Sequence, residues 1–275
     1  MVSQLTSQGS MLNGGPPVEA PFQRRTVSFV RRDNRLEPRL QRAWDQHQER
    51  LVVDVPRAEA STSVAAGFSL DAVRDFGRLA PLVVEIGSGT GDAVVHAAQR
   101  RPGTNFLGVE VYRRGLAVSM TKIVRHNLTN VRLVQADALE VLAQMLGPSS
   151  VAEIWVFFAD PWHKVRHHKR RLVDAGFAEL AASRLARGGI LRLATDWADY
   201  ATQMRDVLAA CGSLTNPYAG ELTSGFAPRF QGRAMTRFEH KGLSSGRTIY
   251  DLELRRALSP GQSLQDETRW EQTVP

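Results

Sequence analysis

The chain has 275 residues, 43% of them hydrophobic and 23% charged, with a formal net charge of +7. A chain of that length can bury one substantial core, and no apolar run is long enough to span a bilayer; the single cysteine, Cys211, excludes an internal disulfide framework and fits a reducing, cytoplasmic setting. The charge is uneven: Arg24 to Arg42 and Lys164 to Arg171 each sum to +5, leaving the rest at −3, which points to nucleic acid or another phosphate-rich partner and away from a membrane.

In chain order, residues 1–23 are rich in Ser, Gln, Gly and Pro without the apolar centre of a signal peptide, and read as a disordered tail. Residues 24–53 form a basic arm that turns helical after Pro38, with Leu40, Ala43, Trp44, His47 and Leu51 on one side. Residues 54–257 carry the main domain, and residues 258–275 return to a polar tail expected to be disordered.

From Leu82 onward apolar runs alternate with helical patterns. Strands are predicted at Leu82 to Ile86, Phe106 to Val111, Val131 to Ala136, Ile154 to Ala159 and Ile190 to Ala194. Helices are predicted at Asp92 to Arg101, Arg113 to His126, Leu139 to Leu146, His168 to Leu185 and Trp197 to Ala210. This alternation is the pattern of an α/β protein with a mostly parallel, open, Rossmann-like sheet built by right-handed crossovers. Arg247 to Leu254, behind a turn at Gly242 to Gly246, predicts a C-terminal antiparallel hairpin.

The first strand runs into Gly87-Ser88-Gly89-Thr90-Gly91, a loop that lets backbone approach a ligand and opens a helix. A dinucleotide fingerprint would need glycine at position 92, where Asp92 stands; this argues against a nicotinamide oxidoreductase. Glu110 ends the second strand, nineteen positions after Gly91, where an acid can hold ribose hydroxyls. Glu85, Glu110, Asp137 and Asp160 stand at or near the ends of four successive strands, which share one rim in a parallel sheet. Each acid alone could simply cap a helix; together they suit a cationic, ribose-bearing cofactor such as S-adenosyl-L-methionine.

Asp160 closes the apolar run Trp155 to Ala159 and is followed by Pro161, Trp162 and a basic stretch holding Lys164, Arg166, Lys169, Arg170 and Arg171. The basic stretch is either a solvated face or a grip on RNA phosphates. Trp162 and Trp197, each beside an acid, are expected to pack against the core in preference to stacking on a base. His163 and His167 have helical spacing but no further ligand set, so no metal is expected.

Taken together, EIGSGTG, LGVEV, QADA, FFADPWHKVRHHKRR, LRLATDW and TRFEHKG resemble the bacterial tRNA (guanine-N7-)-methyltransferases from Ser28 to about Leu254. The resemblance implies a class I methyltransferase fold over 54–257, with S-adenosyl-L-methionine held by Glu85, Gly87, Gly89, Gly91, Glu110, Asp137 and Asp160, and Asp160 as the catalytic carboxylate. It implies a tRNA substrate whose guanosine is placed by Lys164, Asp196, Thr236, Arg237, Phe238 and Glu239, and an RNA-contacting stretch at Arg166, Lys169, Arg170 and Arg171. It implies no obligatory protein partner. Ala159 stands where the family usually carries the proline of a PDPW sequence.

Guanine N7 carries an in-plane lone pair and no proton, so methylation there needs alignment and no general base. Two other readings remain open on the sequence: an exocyclic-amine methyltransferase of nucleic acid, whose Asp-Pro-Pro-aromatic turn differs from Asp160-Pro161-Trp162-His163, and an inactive RNA-binding protein on the same scaffold.

Overall fold

The apolar runs become one seven-stranded sheet. The computed structural model describes residues 35–220 and 222–257, so both tails and the arginines from Arg24 to Arg32 lie outside the described residues. The strands are β1 (Leu82–Ile86), β2 (Asn105–Val109), β3 (Val131–Val134), β4 (Val151–Phe157), β5 (Leu185–Thr195), β6 (Leu214–Thr215) and β7 (Tyr250–Arg256). Their order is β3-β2-β1-β4-β5-β7-β6, parallel from β3 to β5, with β7 antiparallel to both β5 and β6. This is the class I methyltransferase arrangement, and the chain reverses its winding direction between β1 and β4.

The central strands β1 and β4 read as mostly apolar runs, Glu85 in β1 and Glu153 in β4 apart, because both faces are covered. Period-two alternation sends Val84 and Ile86 into one apolar cluster with Leu107, Phe177 and Tyr200, and Val83 into the other with Phe106, Leu116 and Trp155. Helices α3 (Asp92–Arg100) and α4 (Arg113–Arg125) contribute to the second cluster, while α6 (Ala175–Arg184) and α7 (Ala198–Ala209) contribute to the first.

The arm helix α1 (Pro38–Leu51) buries Leu40, Trp44 and Leu51 in the second cluster, as its spacing predicts, and the Arg113 guanidinium lies 4.5 Å from the centre of the Trp44 ring. Val53 N donates to Leu133 O at 2.8 Å, so the arm helix and the sheet share one core across residue 53. Residues 72–76 form the short helix α2 (Ala72–Phe76).

Three elements differ from the sequence pattern. The helix expected over His168 to Leu185 is broken: a 3-10 turn covers Val165–Arg170, and α6 starts afresh where Asp174 accepts a hydrogen bond from Phe177 N at 2.9 Å. Five cations within eight residues repel one another on a helix, while the Asp174 cap favours a new start. The helix expected from Leu139 is α5 (Ala138–Glu140), continued by one π turn, Val141–Met145. The antiparallel C-terminal pair is present as β6 and β7, but the segment before β7 is helix α8 (Arg237–Ser244), and Gly242 to Gly246 ends that helix.

Candidate functional site

Beyond the C-terminal ends of β1 to β4, where the winding reverses, the loops enclose a cavity of about 250 Å³. Gly87, Glu110, Asp137, Asp160, Trp162, Lys169 and Arg170 are on its wall. The shared rim expected for the strand-end acids therefore gathers three of the four.

Glu110 ties two loops together. Its Oε2 accepts from Gly89 N at 2.9 Å, and its Oε1 accepts from Val111 N at 2.8 Å and Tyr112 N at 2.9 Å. Burial pushes its pKa up, opposed by those three backbone donors. Asp137 caps α5, accepting from Leu139 N at 2.9 Å, while its own N–H donates to Thr62 O at 2.7 Å. Helix capping and cavity lining are thus compatible in one side chain. Asp160 is exposed at the mouth.

Glu85 lies elsewhere. It is 4% exposed, off the cavity wall, and its Oε2 accepts from Val94 N at 3.0 Å near the start of α3. Burial raises its pKa to about 8. Gly89 and Gly91 also lie off the wall and set the loop's shape. Gly91 has φ +72°, and a Cβ there would meet Ser119 Oγ at 2.6 Å. Three further residues of α4 hold this loop: Gly115 and Ser119 pack under it, and Lys122 Nζ donates to Thr90 O at 2.8 Å and to Asp92 Oδ1 at 2.5 Å. Only Gly115 left a trace in the sequence, as an isolated glycine inside a helical pattern.

The loop carrying Asp160 is held in uncommon backbone. Phe158 and Trp162 have φ of +57° and +47°, and bulky residues adopt such values only where their surroundings enforce them. Proline at 159 would steer Phe158 toward extended backbone; Ala159 removes that constraint. The Arg233 guanidinium lies 5.6 Å from the Phe158 ring centre and 5.1 Å from that of Phe157. Trp197 rests partly against the main apolar cluster, in line with the core-packing expectation. Trp162 instead lines the cavity, with Arg170 at 5.1 Å over its ring.

The basic stretch divides. Lys164, Arg166 and Lys169 are exposed, and Lys169, Arg170 and Arg171 border the cavity. Arg171 differs from its neighbours: its side chain is 1% exposed and packs over Tyr200 at 4.8 Å. It bonds to Asp199 at 2.5 Å, to Pro161 O at 2.8 Å and to Gln203, so it braces the loop from inside. His163 packs 4.1 Å from Trp197, and His167 packs edge-on to Trp162.

A second cavity, bordered by Asp196, Trp197, Asp199, Arg247 and Tyr250, opens beyond β5. Phe158 N donates to Ala194 O at 2.8 Å, so Asp160 and Asp196 each stand two residues past a bonded pair on adjacent strands. The Thr236 to Glu239 segment splits by role. Thr236 caps α8, and Glu239 is 1% exposed with Arg229 and Arg233 on its carboxylate. Arg237 and Phe238 are exposed. Both acceptor oxygens of Glu239 are thus engaged by arginines inside the protein, while its neighbours Arg237 and Phe238 face outward.

The donor set of the first cavity is acceptor-rich, with Glu110, Asp137 and Asp160 together. Glu110 is buried against its ionisation preference. A ligand bringing hydroxyl and amino donors with a positive charge fits those carboxylates, and Lys169 and Arg170 on the same wall belong to the basic loop.

The chain matches the family model described as "Putative methyltransferase" over residues 79–252. It is 47% identical over 276 aligned residues to the tRNA (guanine-N(7)-)-methyltransferase of Arthrobacter sp. (strain FB24), covering 84% of this chain and 86% of that protein. The enzyme of the same name from Paenarthrobacter aurescens (strain TC1) is 46% identical, with 84% and 92% covered. That of Cutibacterium acnes (strain DSM 16379 / KPA171202) is 48% identical over 233 residues, with 85% and 84% covered.

Proposed function

Since the chain belongs to the tRNA (guanine-N(7)-)-methyltransferase family, we propose that it transfers a methyl group from S-adenosyl-L-methionine to N7 of a guanosine in the tRNA variable loop, forming 7-methylguanosine. The observation that carries this reading is the convergence of Glu110, Asp137 and Asp160 on one cavity beside a basic loop.

In this reading Glu110 receives the ribose hydroxyls, and Asp137 and Asp160 complete the acidic wall. Gly87, Gly89 and Gly91 give the loop its shape over Glu85, which acts from behind as the anchor of α3. Bound there, the cofactor supplies an electrophilic methyl group on a sulfonium. The chain's residues then have one main task, to hold N7 in line with that methyl group, since N7 needs no deprotonation. A carboxylate of Asp160 or Asp196 accepts from the guanine N1–H and 2-amino group, bonds that strengthen as the ring gains positive charge.

Lys164, Arg166, Lys169 and Arg170 meet phosphates, with Arg237 and Phe238 on the exposed side of α8. No described helix is long and apolar enough to cross a membrane, and the cytoplasm is where the tRNA substrate would be met.

The test is incubation with labelled S-adenosyl-L-methionine and unmodified tRNA, followed by mapping of the modified nucleotide, with Asp160→Ala in parallel. Label in 7-methylguanosine that Asp160→Ala abolishes is the expected result. Label in 6-methyladenosine would favour the exocyclic-amine reading, and tRNA binding without cofactor uptake in calorimetry would favour an inactive scaffold.

A further inference from the structure

Arg247 lies outside every motif that the sequence singled out for function, yet it borders the second cavity. Its Nη1 donates to Asp196 Oδ2 at 2.6 Å, and its guanidinium carbon lies 6.0 Å from the centre of the Trp197 ring. Its backbone N–H donates to Gly242 O at 3.0 Å. Gly242 packs so closely on Asp196 that a Cβ there would meet the Asp196 side chain at 3.0 Å. The turn after α8 therefore sets donor and acceptor side by side. Arg247 is 39% exposed and Asp196 19% exposed, so the pair is reachable from solvent.

An arginine beside a carboxylate is the complement of one nucleobase edge. Guanine presents an acceptor, O6, next to two donors, N1–H and the 2-amino group. Adenine presents a 6-amino donor next to a bare N1 acceptor, so it would set donor against guanidinium and lone pair against carboxylate. Resting on the reading proposed above, we propose that Arg247 is a specificity-determining residue: it donates to O6 of the target guanine while Asp196 takes N1–H and the 2-amino group. Trp197 and Tyr250 provide the aromatic border of the same cavity.

Electrostatics fix which kinetic parameter Arg247 governs. A cation at O6 withdraws electron density from N7, so it gives no help to the chemical step. Its contact is no stronger in the transition state than in the ground state, so it binds and selects the base, and Asp196 beside it offsets the repulsion as the ring becomes cationic. Asp196 gains strength as the ring becomes cationic, so it acts on turnover.

The experiment compares wild type, Arg247→Met, Arg247→Lys and Asp196→Asn on tRNA carrying guanosine or inosine at the methylated position; inosine lacks only the 2-amino group. Arg247→Met is expected to raise KM for both RNAs by about tenfold, with kcat within about twofold, and to keep the wild-type preference for guanosine over inosine. Arg247→Lys is expected to recover part of that KM, and Asp196→Asn to lower kcat and lose the preference. Cofactor affinity, measured by calorimetry, stays unchanged in both Arg247 variants. Collapse of the preference in Arg247→Met would show that Arg247 acts only through Asp196, and an unchanged KM would show no contact with the base; either overturns the proposal. Equal wild-type activity on guanosine and inosine overturns the pairing with Asp196. A wild type that methylates no guanosine sinks the functional reading itself, an outcome distinct from the other three.

Discussion

Gly115 lies so close beneath the glycine loop that a Cβ built on it would meet the carbonyl oxygen of Gly89 at 2.5 Å. The contact runs between the first turn of α4 and the backbone of the glycine loop, and Glu110 Oε2 accepts from the N–H of that same Gly89. The shape of the glycine loop beside the cavity thus depends on a glycine inside a helix.

Gly115→Ala is therefore expected to push α4 away from the loop. Overpacking of this kind costs about 1–3 kcal/mol. Cofactor affinity should fall by about tenfold or more, because the loop and the Glu110 carboxylate move together. Calorimetric titration and urea denaturation check both. Gly212→Ala, where a methyl group would meet nothing within 4 Å, serves as the neutral control. Unchanged cofactor affinity in Gly115→Ala would remove the helix from the account of the site.

Glu85 gives a pH dependence whose sign can be worked out. Its carboxyl is raised from 4.5 to about 8 by burial, so the native state keeps a proton that the unfolded chain has already released. Stability from this group is fully present below about pH 4.5 and declines as pH rises toward 8, at up to about 1.4 kcal/mol per pH unit. Glu85→Gln can still accept from Val94 N and cannot ionise. Denaturation of the cofactor-free variant and wild type should coincide near pH 4.5 and separate in the variant's favour as pH rises. Parallel curves across that range would contradict the assignment.

The arginines of the basic stretch should respond in two different ways. Neutralising Arg166 or Lys169, both exposed, is expected to lower the magnitude of the salt slope of tRNA binding by about 0.7–0.9 for each phosphate that loses its cation, leaving stability alone. Arg171→Ala is expected instead to destabilise the fold by about 1–3 kcal/mol, since Pro161 O and Gln203 lose their partner inside the protein. Filter binding at several salt concentrations, with thermal denaturation alongside, separates the two. A changed salt slope in a fully stable Arg171→Ala would reverse the internal assignment.

That division marks where the sequence ceased to be legible. Strand β1 could be read to the residue because burial on both faces writes an apolar run, interrupted by Glu85 alone and closed by glycine. Glu110, Asp137 and Asp160 could be grouped because parallel strands deliver their ends to one rim. Glu85 followed the same logic but points behind the loop, toward Val94 N, a matter of side-chain direction that strand order does not encode. Arg171 looks like its neighbours in the sequence. Its inward turn depends on Asp199, Tyr200 and Gln203, about thirty residues later on α7. Glu239 is likewise drawn inward by Arg229 and Arg233 from the preceding loop, and a local motif cannot show that.

Arg233 carries the last expectation. Its side chain is fully buried between Glu239 on α8 and Asp251 on β7, and its guanidinium faces Phe157 and Phe158 at the root of the Asp160 loop. Arg233→Met leaves Asp251 without this cation and Glu239 with Arg229 alone, a loss of about 3–5 kcal/mol for a broken buried pair. For a chain of this size that is a fall of roughly 6–20 °C in Tm. Arg229→Met, whose side chain is 33% exposed, should cost about 1 kcal/mol or less. The penalty in Arg233→Met should shrink as pH falls and the stranded carboxylates take up protons, because it arises from uncompensated negative charge. Thermal denaturation of both variants at pH 5 and pH 8 reads this directly. A penalty independent of pH would assign Arg233's contribution to packing on the two phenylalanines, and near-wild-type stability at pH 8 would show that the network does not hold the loop at all.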